Sequence, residues 1–98
     1  DSYIKYMPTE FLHKGSYTMT GNFATDSIKT ISFTSVNTSS YIIVGSLYGS
    51  STTSPGYSSQ NDMIWTTFNR TSSSFKLGLR EVSGNTGTLY FKYYLLKS

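Results

Sequence analysis

The final ten residues, Leu89-Tyr90-Phe91-Lys92-Tyr93-Tyr94-Leu95-Leu96-Lys97-Ser98, are apolar or aromatic at positions of both parities. Side chains alternate along a strand, so Leu89, Phe91, Tyr93 and Leu95 share one face, while Tyr90, Tyr94 and Leu96 share the other with Lys92 between them. A chain of 98 residues holds a single core. One face of this strand suffices to line that core, so the second face needs a different partner, most simply another copy of the chain. This gives Tyr90, Tyr94 and Leu96 as candidate oligomer-interface residues.

The composition fixes the class of fold around that strand. Roughly a third of the residues are Ser or Thr, and aromatics reach 16% with nine Tyr. Thr, Tyr, Phe and Ile favour strands, whereas Ser and Gly favour turns. The reading is all-β, an antiparallel β-sandwich of about six strands in one domain. Only 13% of residues are charged, too few for disorder driven by charge repulsion. The net charge of +3 comes from lysines and arginines scattered along the chain, with no basic run, so nucleic acid is not an expected partner. The absence of cysteine excludes a disulfide framework and thiolate metal sites. No apolar stretch approaches the ~18 residues of a membrane helix, and membrane insertion is not expected. The sequence opens at Asp1 without an initiator Met, which points to a processed product or an excised C-terminal domain.

Along the chain, residues 1–14 are mixed in character and carry Pro8, which breaks regular structure; they read as an arm, or as the place where a longer protein enters the domain. The domain proper is 15–98. Strands are expected at 16–23, with Tyr17 and Met19 on one face, and at 28–36, with Ile31 and Phe33 inward and Thr30 and Ser32 outward. The run at 40–48 is continuously apolar in its first half, as for a strand covered on both sides. Strands at 63–69 and 74–82 follow, the latter with Phe75, Leu77 and Leu79 inward and Lys76 and Arg80 outward. Residues 83–87 form a turn with two glycines and an Asn. Residues 49–62 are a long Gly/Ser/Thr-rich connection, of a length that is either functional or simply variable.

Catalytic chemistry has little to build on. His13 is the only histidine and lies in the irregular arm, so any Ser-His-Asp arrangement would have to gather around it. The carboxylates Asp1, Glu10, Asp26, Asp62 and Glu81 match no calcium-loop spacing. The chain is read as non-enzymatic, with no cofactor and no metal. Two N-glycosylation patterns, Asn37-Thr38-Ser39 and Asn69-Arg70-Thr71, are what chance provides in so Ser/Thr-rich a sequence. What remains is recognition: aromatic rings cover the C–H faces of sugars while amide, carboxylate and guanidinium groups bond their hydroxyls. The candidate ligand-binding residues are Tyr48, Tyr57, Asn61, Asp62, Trp65 and Arg80. A lone Trp in a strand is more often core than sugar platform, and Arg80 is as readily a solvated charge as a contact; Tyr57 and Asp62, in the long connection, are the stronger candidates.

Several segments together carry a family resemblance: Gly15-Ser16-Tyr17-Thr18-Met19, Lys29-Thr30-Ile31-Ser32-Phe33, Tyr41-Ile42-Ile43-Val44-Gly45, Ser72-Ser73-Ser74-Phe75 and Thr88-Leu89-Tyr90-Phe91-Lys92-Tyr93-Tyr94-Leu95. In spacing and order they resemble the C-terminal receptor-binding domains of bacteriophage tail fibres, which are related in fold to H-type lectins. The resemblance covers about 80 residues. It implies a six-stranded antiparallel β-sandwich that forms a homotrimer, and carbohydrate recognition near subunit boundaries. The aromatic and acidic pair that precedes the terminal strand in the lectin members is replaced here by Ser83-Gly84-Asn85-Thr86, so the lectin sugar site is not carried over. The expected function is that of a viral fibre head attaching to host cell-surface carbohydrate or protein, located at the fibre tip of a virion. The alternatives are a structural trimerisation or capping domain, or a free-standing extracellular lectin.

Overall fold

A computed structural model of the chain describes residues 10–23, 25–49, 63–81 and 86–98. Those residues contain six strands and no helix: β1 (Phe11–Asn22), β2 (Ser27–Ser32), β3 (Tyr41–Gly49), β4 (Met63–Phe68), β5 (Ser74–Glu81) and β6 (Thr86–Lys97). They form two three-stranded antiparallel sheets, ordered β1-β6-β3 and β2-β5-β4. The central strand of each sheet is the one whose inward row is most apolar. Leu89, Phe91, Tyr93 and Leu95 of β6 and Phe75, Leu77 and Leu79 of β5 are all at most 4% exposed. Burying those rows against each other is the main hydrophobic term of the fold. It also settles which face of the terminal strand lines the core.

Aromatic contacts join the two inner faces. Phe75 meets Phe91 and Tyr93 edge-on, at centroid separations of 6.3 and 5.2 Å, and Trp65 meets Phe91 edge-on at 5.3 Å. The large rings of β6 need room from their neighbours, and the flanking strands supply it with glycine. Gly15 and Gly45 both sit opposite Tyr93 in the ladders. A Cβ at Gly15 would strike the Tyr93 ring, and one at Gly45 would come within 2.6 Å of Phe91 Cζ. At the end of the sandwich, the Tyr41 hydroxyl lies 2.8 Å from the Thr71 carbonyl and 2.9 Å from that of Ser74. Its single proton is shared between them, tying the start of β3 to the turn that enters β5.

Two element boundaries differ from the sequence expectation. β1 begins at Phe11, within the 1–14 segment read as an arm, and Phe11 pairs with Leu96. An irregularity between Phe11 and His13 interrupts the alternation there, so both Leu12 and His13 turn toward the core. β2 ends at Ser32 and not at Val36, because the amides of Phe33 and Val36 bond the loop carbonyls of Ser73 and Ser72. The first half of β3, expected to be covered on both sides, is covered on one within a single chain: Tyr41 is buried, whereas Ile42 and Val44 are exposed.

Candidate functional site

With the inner faces consumed by the core, function rests on the outer faces and the ends, and the two outer faces are unlike. On the β6 sheet, cross-strand partners set the pattern: Phe11 and Ile42 flank Leu96, Lys14 and Val44 flank Tyr94, Ser16 and Ser46 flank Lys92, and Thr18 and Tyr48 flank Tyr90. One end is therefore apolar, with Phe11, Ile42, Val44 and Tyr94 all exposed and the Tyr94 ring 6.1 Å from that of Phe11. The other end carries the Tyr48–Tyr90 ring pair at 5.4 Å. A hydroxyl and lysine belt lies between them. The three residues expected at an oligomer interface, Tyr90, Tyr94 and Leu96, thus share this face. Phe11, Ile42 and Val44 join them; the apolar run at 41–44 was the signal for the last two.

The outer face of the β5 sheet carries an open depression of about 450 Å³. Gly78, on the central strand, has Ile28 and Thr66 as ladder partners, and the Phe68 ring lies beside it, 3.3 Å from where a Cβ would stand. Ile28 and Ile64 stand on this face largely exposed. Arg80 pairs with Ile64 in the ladder and reaches Asp26 at 3.8 Å. Both side chains of that ion pair are mostly in water, so its energy is small and its hydrogen-bonding groups remain accessible. Trp65 belongs to the inner face, opposite Leu79 and against Phe91, but β4 is an edge strand and leaves the residue 38% exposed. Trp65 is thus both core and surface, but its side chain lies on the opposite face of the sheet from that of Arg80. Asp26, Ile28, Ile64 and Gly78 were not anticipated there. A glycine inside a strand and isoleucines at positions of outward parity were the available signals.

Of the other expected ligand-binding residues, Tyr48 lies on the opposite sheet, against Tyr90, and Tyr57, Asn61 and Asp62 lie outside the described residues. His13 is engaged in packing: its ring stacks on Phe33 at 5.1 Å, and its Nε2 is 3.4 Å from the Tyr93 hydroxyl. A third surface, a polar basin at the end of the sandwich, includes Asn37, Arg70 and Thr71. Asn37 and Asn69 hold positive φ there, at 63° and 54°, a conformation that Asn tolerates better than most residues. Among the described residues, no group of three or more His, Asp or Glu side chains could hold a metal ion. Burial raises the ionisation of Tyr41 and Tyr93 above the usual tyrosine value; at Tyr41 the nearby Arg70 charge and the bond to Thr71 partly offset that rise. Comparison with protein-family models, curated proteins and solved structures found no match for this chain.

Proposed function

We propose that the chain is the receptor-binding head of a viral fibre, a non-enzymatic β-sandwich that assembles as a homotrimer and attaches to a cell-surface glycan or protein. The observation that carries this reading is the group of exposed apolar side chains on the β6 sheet, Phe11, Ile42, Val44 and Tyr94, with the depression beside Arg80 and Asp26 on the other sheet. The face of the β6 sheet is suited to self-association. Its longest strands have 12 residues, so it spans about 40 Å by about 15 Å, or roughly 600 Å². The whole face, apolar ends and polar belt together, is thus near the ~800 Å² per partner of a stable interface. The face of the β5 sheet is suited to recognition, with the exposed Ile28 and Ile64 beside the accessible Arg80–Asp26 pair.

A glycan array probed with the parent and with Arg80→Ala tests the recognition half. Arg80 is largely exposed, so its loss leaves the core intact. The expected result is a parent signal that Arg80→Ala reduces at least about tenfold, the cost of removing one charge-assisted hydrogen bond. A parent signal undiminished in that variant places the receptor site elsewhere on the molecule.

A further inference from the structure

Self-association of the β6 sheet meets one physical obstacle, and it lies in the belt between the two apolar ends. Lys14 is the ladder partner of Tyr94, and Lys92 is the partner of Ser16. The two lysines are therefore diagonal neighbours on one face, with Cα atoms about 7–8 Å apart. Both are exposed, and with Ser16 and Tyr94 they line a depression of about 380 Å³. Every polar side chain named there can donate a hydrogen bond, two of them as ammonium groups. Among the described residues, no carboxylate stands on this outer face to balance them. Glu10 is engaged with Lys97 at 3.6 Å and Asp26 with Arg80 at 3.8 Å. A second copy laid on this face would bring like charges together and strip water from them, at an effective cost of several kcal/mol per ion.

We propose that Lys14 and Lys92 form an oxyanion site that is completed where copies of the chain meet, so that a polyvalent inorganic anion of the phosphate or sulfate class is a component of the assembled protein. The inference rests on the assembly reading above. One divalent anion neutralises both ammonium groups of a copy, and its several oxygens accept from lysine, serine and tyrosine donors at diverging angles. The depression is ample for a single tetrahedral ion. The same residues explain why a face with apolar ends keeps a charged middle: the anion becomes a condition of assembly, and without it the lysines oppose non-productive stacking.

Sedimentation velocity of the full chain at micromolar concentration tests this, in sodium chloride, sodium sulfate and sodium phosphate of matched ionic strength. The expected result is association at least about tenfold tighter in sulfate and phosphate than in chloride. Sulfate also strengthens apolar association in general, so Lys92→Met is the control. This variant is expected to associate more tightly in chloride than the parent does, and to gain from sulfate and phosphate only the small increment that salting-out gives any apolar contact. Assembly of the parent that is equal in all three salts overturns the anion site and leaves the assembly reading standing. So does an undiminished sulfate response in Lys92→Met. A parent that is monomeric in every buffer overturns the assembly reading and the anion site with it.

Discussion

Gly45 and Phe91 show how tightly single residues are fitted in the core. The ring of Phe91 occupies the volume that a Cβ on Gly45 would need. Gly45→Ala is therefore expected to lower stability by about 1–3 kcal/mol through overpacking, read as a shifted urea midpoint; an unchanged midpoint would show that the ring has room to move. Tyr41 acts differently, through its shared hydrogen bond to Thr71 and Ser74, and Tyr41→Phe is expected to cost about 1 kcal/mol. Burial raises the ionisation of Tyr41 and Tyr93 in the folded chain, so the unfolded chain loses those protons first as pH rises. Their contribution is fully present below about pH 10 and is lost as pH climbs through the raised folded values. Urea midpoints taken from neutral to strongly alkaline pH should fall only above that point, and fall less steeply in Tyr41→Phe. Alternation alone made the inward row Phe75, Leu77 and Leu79 legible in the sequence. The pairing of glycines with rings was not legible, because it depends on the register between β1, β6 and β3, which neighbouring residues do not encode. Trp65 was readable either as core or as surface, and its inward parity combined with its place on an edge strand makes it partly both.

At the scale of elements, β6 is the strand on which both the core and the proposed assembly depend. Its even-numbered outer row and odd-numbered inner row give opposite expectations for the same substitution. Phe91→Lys buries an unpaired charge at a site with no exposure and should abolish folding, seen as loss of the β-sheet signal in circular dichroism. Tyr94→Lys, at an exposed position, should leave that signal intact. Equal damage from both would contradict the division of labour between the faces. The existence of the strands was readable from apolar periodicity and turn residues, but their ends were not. β1 starts in a segment whose alternation is broken by the irregularity at Phe11 and His13, which hides the strand from any count of period two. β2 stops early because the loop carbonyls of Ser72 and Ser73 capture its next amides, a contact 36 or more residues distant in sequence. The depression beside Gly78 was hidden likewise, since it needs Asp26, Ile64 and Arg80 brought together from three separate segments.

At the scale of the molecule, the proposed assembly rests on one outer sheet face. Phe11, Ile42, Val44 and Tyr94 are exposed on it together, although a solvated strand face is ordinarily polar. Under the proposed assembly, with Lys14 and Lys92 as its anion site, association strengthens with sulfate and weakens with a charge added at its centre. The most direct test is the molar mass in solution, measured by light scattering on the parent and on Tyr94→Lys in a sulfate-containing buffer at micromolar concentration. The account predicts a parent mass of three times 10.9 kDa and a folded Tyr94→Lys of 10.9 kDa. A parent that elutes folded at 10.9 kDa under those conditions would contradict it.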